Sequence, residues 1–429
     1  MNYYEGEIAK YEKRLQTIDR KPRPDMLACN RLLYQALLDH DREQLRWWRE
    51  GKPFMSASGG GMAILTRVFG EFRTLGLVGM ADRMGSKAAE AAYQKIWSMG
   101  LPDYSCDRTI LLLPIAASGV DLPKLSMILT RTGSCNVANN SHRTLAELMG
   151  IPFFMVDVPF EDPYQENLPY VVKQLHELIA HVEAKLPGAK FDGGRLMELQ
   201  RLDRQRMAAL HDIGRLRKHV PCPDHPRDVF REPLQCAEYT NPLAIVEYYE
   251  TYRDELADRV SRGFTPVGEE KLRIVWAISG PYGSKAWDYL AQRGVSVPFW
   301  QYGGAEKNFI RPIYGDESEF GKALTPLEEV ARTLLYNSWG GTGERWINDV
   351  VAACREFRAD GLVLFEQTGC LPVLGLGKPV ADRVDKEMGI PAWCADGRML
   401  LGHTANAEAQ FMAGLESFVN LCFERKGRR

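Results

Sequence analysis

The chain has 429 residues, 45% hydrophobic, 26% charged and 10% aromatic, which excludes a disordered polypeptide and leaves apolar material for two or three domains. Lys and Arg number 54 against 56 Asp and Glu, a net charge of −2, so there is no bulk attraction to nucleic acid or to an anionic membrane, and neither is an expected partner. Met1-Asn-Tyr-Tyr-Glu-Gly-Glu7 opens straight into a charged helical pattern, and the most apolar runs, 110–117 and 151–160, fall well short of the roughly 20 residues that cross a bilayer. A cytoplasmic location is expected.

In chain order, residues 1–52 predict an N-terminal helical segment of two helices. Lys21-Pro22-Arg23-Pro24-Asp25 stops the first, and Asp25 is placed to cap the second ahead of Leu27, Leu32, Leu33 and Leu37. From Pro53 short β-rich runs alternate with helical patterns: strands are predicted at 54–57, 110–115, 127–129 and 153–158, with an amphipathic helix at 142–149. Residues 164–219 predict two long helices, the second starting near Asp192, and Val220-Pro-Cys-Pro-Asp-His-Pro226 ends them at an expected domain boundary. A second alternating block carries strand candidates at 272–279, 295–300, 361–365 and 391–394. Helices at 284–292, 326–337, 344–357 and 380–388 interleave with them, and an amphipathic helix at 406–423 closes the chain. Strands joined by crossover helices mean parallel sheets, so the expected fold class is α/β. Its expected units are the helical segment 1–52, a first α/β domain with a long helical connection at 53–225, and a second α/β domain at 226–429.

Nine cysteines are an odd, scattered set with no CxxC pair, so in a reducing compartment each is packing or chemistry. Cys135 lies in the loop Thr132-Gly-Ser-Cys135 after a strand, and Cys370 repeats that position in Glu366-Gln-Thr-Gly-Cys370. Open parallel sheets hold ligands past the carboxyl ends of their strands. Cys106 sits in the loop Gly100-Leu-Pro-Asp-Tyr-Ser-Cys106 just ahead of the predicted strand at 110. Three loop thiolates drawn from two domains suit an iron–sulfur cluster whose fourth position is left to another ligand. The bland reading of any cysteine is a small buried side chain, and it is the one given to Cys29, Cys354, Cys394 and Cys422. Cys222-x-x-His225 with Cys236 is a rival metal site, but it lacks the fourth ligand of a closed zinc shell.

Gly59-Gly-Gly61, Gly280-Pro-Tyr-Gly283 and Trp339-Gly-Gly-Thr-Gly343 are either tight turns or places where free N–H groups meet an anion. None is a Walker A loop or a GxGxxG fingerprint, so ATP hydrolysis is expected on another polypeptide. His142, seven residues past Cys135, and Glu366, four before Cys370, are the candidate proton donors, a surface or ion-paired role being the ordinary alternative for each. Tyr104, Trp339 and Trp346 either line a planar slot or pack in the core.

These residues and their order resemble the 2-hydroxyacyl-CoA dehydratase and benzoyl-CoA reductase subunits over about 53–423. The resemblance rests on the Cys106 loop, Thr132-Gly-Ser-Cys135, Gly150-Ile-Pro-Phe-Phe-Met-Val-Asp-Val-Pro159 and Asp203-Arg-Gln-Arg206. It continues through Ala359-Asp-Gly-Leu-Val-Leu-Phe365 with Cys370, and Gly389-Ile-Pro-Ala-Trp393 with Asp396. It implies two flavodoxin-like parallel-sheet domains around an interdomain iron–sulfur cluster, of the 4Fe-4S type, held by Cys106, Cys135 and Cys370. It further implies an acyl-CoA substrate, a heterodimer with a homologous smaller catalytic subunit, and a separate ATP-hydrolysing iron–sulfur activator. Where the family places an acidic pair after the last strand, this chain has Cys394-Ala-Asp396. Trp339-Gly-Gly-Thr-Gly-Glu-Arg-Trp346 and Gly375-Leu-Gly-Lys-Pro379 look most like the larger catalytic subunit of ATP-dependent benzoyl-CoA reductases. The expected reaction is therefore one-electron dearomatising reduction of an aromatic acyl-CoA to a cyclic dienoyl-CoA. Dehydration of an (R)-2-hydroxyacyl-CoA through a ketyl radical, and a non-catalytic electron-transfer role, are the alternatives.

Overall fold

The computed structural model describes residues 2–21, 23, 25–57, 61–83, 86–101, 105–111, 113, 122–133, 135–160, 164–230, 241–278, 280–281, 285–301, 323–336, 342–370, 374–398 and 407–428. Helix α1 (Tyr3–Arg20) starts at a capping box in which the Asn2 side chain accepts from the Glu5 amide and the Glu5 carboxylate accepts from the Asn2 amide. It packs on α2 (Asn30–Arg49). Asp25 does not cap α2 as expected; it pairs with Arg23 at 2.5 Å. The amides of Ala28 and Cys29 donate instead to the Glu255 carboxylate, at 2.7 and 2.6 Å, from the distant helix α10 (Pro242–Ser261).

The first sheet comprises β1 (Phe54–Ala57), β2 (Arg73–Thr74), β3 (Leu125–Arg131) and β4 (Phe153–Val156), all parallel, in the order β2-β1-β3-β4. Met55, Met127, Leu129 and Val156 face α7 (Tyr164–Lys185), α8 (Gly193–Arg217) and α12 (Pro326–Leu335). Phe54, Leu125 and Ile128 face the other layer: α3 (Leu77–Asp82), α4 (Ser86–Ser98), α5 (Asp107–Ile110) and α6 (Asn136–Met149). Asp192 caps α8 through the Arg195 amide, where the second long helix was expected to start. The strand expected at 110–115 is corrected: 107–110 is helical, and Ile110, Leu111 and Leu113 are buried in the core. A short apolar run fits a buried helix as well as a buried strand, because both faces are covered and no alternation separates them.

The second sheet is β5 (Leu272–Ala277), β6 (Val295–Trp300), β7 (Gly361–Gln367) and β8 (Ala392–Gly397), again parallel, ordered β6-β5-β7-β8. Ile274, Trp276, Val363 and Phe365 pack under α11 (Ala286–Gln292) and α15 (Ala407–Gly427). Val275, Ala277, Leu362 and Leu364 pack under α13 (Gly343–Glu356) and α14 (Gly377–Met388). Covering both faces explains why β5 to β7 read as near-continuous apolar runs. The two sheets share one strand order, consistent with two flavodoxin-like domains. In each, the chain leaves the first strand to one side and returns on the other, so the carboxyl ends of β1 and β3, and of β5 and β7, form switch points where α/β sheets bind ligands.

Helices α1, α2, α8 and α10 bury a separate cluster that includes Leu33, Leu37, Leu210, Ile213 and Tyr248. The proline-dense segment 220–226 is tied to it. Asp224, fully buried, accepts from Arg217 Nε at 2.8 Å and from Tyr252 OH at 2.5 Å, while Arg259 donates to the Pro223 carbonyl at 3.0 Å. Removing one partner of a buried ion pair leaves the other charge in the interior, so Asp224→Ala is expected to cost about 3–5 kcal/mol. The urea midpoint measures it; a loss below about 1 kcal/mol would show that the pair is dispensable.

Candidate functional site

Both switch points carry a cysteine loop. Cys135 is the N-cap residue of α6, four residues beyond β3. The loop reaches it through Gly133, at φ +74°, where an added Cβ would lie 3.0 Å from the Val158 carbonyl oxygen, so only glycine allows both the turn and the close approach. Cys370 follows β7, its amide donating to the Gln367 carbonyl at 2.9 Å. Cys106 is the buried N-cap residue of α5.

The three thiols feel one another. Burial pushes Cys106 far above the usual thiol range, and Asp107, Cys370 and Cys135 push it further; burial followed by Cys135 takes Cys370 up to about 12. Burial raises Cys135 as well. Arg108, the second residue of α5, opposes the shift at both Cys106 and Cys370. These are neutral thiols at pH 7 unless a metal takes their protons. Among the described residues no group of three His, Cys, Asp or Glu side chains is placed to hold one metal ion. A cluster spreads its ligands over different irons, so three thiols need not converge on one point. Three soft sulfur donors, Cys106 buried and Cys135 and Cys370 half-buried, with the Arg108 cation beside Cys106 and Cys370, fit such a cluster in their chemistry.

The other cysteines have different surroundings. Cys354 and Cys422 lie in the second-sheet cores and Cys29 in the helical cluster, all buried. Cys222 is a buried thiol raised to about 12, chiefly by desolvation, and His225 caps the short helix α9 (Pro226–Val229), its Nδ1 accepting from the Arg227 amide at 3.1 Å. Cys236, Tyr104 and Trp339 lie outside the described residues, as do residues 59–60, 282–283 and 339–341 of the glycine-rich turns. Trp346 is buried among the apolar residues of α13, so it serves the core and not a slot.

Glu366 is half-buried at the end of β7, over Gly377 at the start of α14 and beside Cys394, whose thiol is raised by burial and then by Glu366. An added Cβ at Gly377 would collide with the Glu366 carboxylate. His142 is fully buried on α6, against the ordinary expectation of a surface residue. Its Nδ1–H donates to the Ala138 carbonyl at 2.7 Å, its Nε2 is buried without a hydrogen-bond partner, and desolvation holds its pKa below 6.5. Since the unfolded chain takes up a proton near pH 6.5 that the native ring refuses, stability is complete above that pH and falls below it. Relative to His142→Asn, whose amide can keep the bond to Ala138, the wild type should lose stability as the pH falls below about 6.5, by at most about 1.4 kcal/mol per pH unit. Parallel stability profiles from pH 7.5 to 5 would contradict this.

Sequence reasoning missed the residues that hold the Cys106 segment. Gln367 Nε2 donates to Asp107 Oδ1 at 2.7 Å, and Arg398 Nη1 donates to the Ser105 carbonyl at 3.2 Å and to Tyr93 OH at 2.8 Å. These partners are hundreds of residues apart, and no local pattern announces them. Arg131, the last residue of β3, is buried, its Nη1 donating to the Thr132 carbonyl at 3.2 Å; desolvation lowers its pKa to about 10. Its only signal was its place beside the Cys135 loop.

Residues 72–420 match the family model described as 2-hydroxyglutaryl-CoA dehydratase, D-component. The chain belongs to that family. It is 24% identical over 315 residues to the alpha subunit of (R)-2-hydroxyglutaryl-CoA dehydratase from Acidaminococcus fermentans, covering 72% of this chain and 63% of that one. It is 25% identical over 229 residues to the alpha subunit of lactoyl-CoA dehydratase from Anaerotignum propionicum, covering 49% and 50%. The chain thus spans less than two thirds of either relative. Within the 2-hydroxyglutaryl-CoA dehydratase D-component family, both relatives are dehydratase subunits, and they favour the alternative reading over aromatic-ring reduction.

Proposed function

We propose that the chain is a catalytic subunit of a 2-hydroxyacyl-CoA dehydratase, holding an iron–sulfur cluster on Cys106, Cys135 and Cys370. The family match, which runs from β2 through the whole second sheet and takes in all three cysteines, carries the reading. When bound, the cluster supplies low-potential single-electron chemistry to the thioester. The net reaction removes the C2 hydroxyl and a C3 hydrogen as water and leaves a C2–C3 double bond, with no net oxidation or reduction.

The chain's own residues bury the thiols, exclude water and manage charge. Arg108 places a buried cation beside Cys106 and Cys370, where it would stabilise their thiolate forms. Of the two candidate proton carriers, half-buried Glu366 has access to a substrate and sealed, neutral His142 does not. Three partners complete the proposal: an acyl-CoA substrate, a homologous second subunit, since both relatives are designated alpha subunits, and an ATP-hydrolysing iron–sulfur activator. Among the described residues no helix is long and apolar enough to cross a membrane. Incubating the anaerobic complex with ATP, reductant and a 2-hydroxyacyl-CoA should give a thioester lighter by one water and leave benzoyl-CoA unchanged. Benzoyl-CoA gaining two hydrogens, with the hydroxyacyl ester untouched, would restore the ring-reduction reading.

A further inference from the structure

We infer that Gln367 and Arg398, at the carboxyl edge of the second sheet, are positioning residues that clamp the Cys106 segment from both sides and set its thiol against Cys370. The inference rests on the proposed cluster only for its iron readout. Cys106 precedes a helix of four residues, too short to fix its own orientation. The residues on either side of it are held from the other sheet. Gln367 Nε2 reaches Asp107 at 2.7 Å, and Arg398 reaches the Ser105 carbonyl at 3.2 Å while its guanidinium lies 5.1 Å from the Tyr93 ring centroid. Asp107 is fully buried and Gln367 is 1% exposed, so this polar bond is made away from water, where an unmet partner is costly.

The two anchors form one rigid edge. Gln367 on β7 is in register with Gly397 on β8, the residue before Arg398, and Thr368 donates to the Gly397 carbonyl through both its amide (2.8 Å) and its hydroxyl (3.0 Å). Gln367 also accepts the Cys370 amide at 2.9 Å through its own carbonyl. One residue therefore spaces two of the three thiols: its backbone holds Cys370 and its side chain holds the neighbour of Cys106. Cys106 belongs by sequence to the first sheet's half of the chain, yet it is seated by the second sheet, so the ligand set is complete only when the two sheets are docked.

The test uses the full chain, anaerobically and free of iron, with thiol alkylation followed residue by residue by mass spectrometry. In Gln367→Leu and Arg398→Met, Cys106 should alkylate about tenfold faster than in the wild type, the size expected for losing one buried or charge-assisted hydrogen bond. Cys354 and Cys422 should be unchanged, and Arg398→Lys, which keeps a cationic donor, should recover much of the protection. After reconstitution, iron and sulfide per chain should fall in Gln367→Leu and Arg398→Met, and the electron paramagnetic resonance of the remaining centre should change. Wild-type protection of Cys106 in both variants overturns the clamp, and so does equal acceleration at every cysteine, which would mark a general loss of folding. Failure of the wild type to bind iron would overturn the cluster reading, and the alkylation rates would still decide the clamp.

Discussion

Replacing Cys106, Cys135 or Cys370 singly by Ala is expected to strip most of the iron from the anaerobic protein and to lower turnover by more than about 100-fold, since losing a mere outer partner of a metal ligand typically costs 10- to 100-fold. In the proposed centre each of the three would supply a thiolate from a different loop. Cys394, the exposed one on β8, faces Glu366 on β7. Replacing Cys29, Cys354 or Cys422 by Ala should leave iron per chain at the wild-type value and cost about 1–2 kcal/mol of packing, because these are buried apolar positions. Iron analysis of the six variants separates the sets, and full iron in any of the first three removes that residue from the proposed ligands.

Electron stoichiometry is expected to separate dehydration from ring reduction more sharply than any residue does. Loss of water from a 2-hydroxyacyl thioester needs no net electrons, so a limiting amount of reductant should support many turnovers. Dearomatisation keeps two electrons in every product, so product would stop at half the electrons supplied. With reductant at about one tenth of the substrate, the proposed reaction runs close to completion, and a yield capped at half the electron count would restore the reductase. ATP should follow the same pattern, being needed to start turnover and not consumed with each product. The cluster ligands cannot make this distinction, because both reactions begin beside the same three thiols.

Much of the fold was legible because buried parallel strands are written as dense apolar runs. β1 and β6 fall where expected, and β7 and β8 extend beyond their predictions to Gln367 and Gly397. The same density hid the helical turn at 107–110, where burial on all sides erased the period that distinguishes helix from strand. Asp25 looked like a cap because capping is usually local, and here the α2 amides are met by Glu255 from α10. The cysteine loops were legible from strand-end position. The residues that position them were not: Gln367 and Asp107 meet only after two sheets dock. The expected kinship with the ring reductases rested on segments around Trp339 and Gly375, which carry no information about the hydroxyl a dehydratase must expel. The division of the chain at 225/226 remains a proposal.

The most direct test of the central claim is the location of iron in crystals of the anaerobic protein, by anomalous scattering at the iron edge. The account predicts one multi-iron centre between the carboxyl ends of the two sheets, bonded to the sulfurs of Cys106, Cys135 and Cys370. Iron bound elsewhere, or a centre that leaves any of those three sulfurs unbonded, would contradict it.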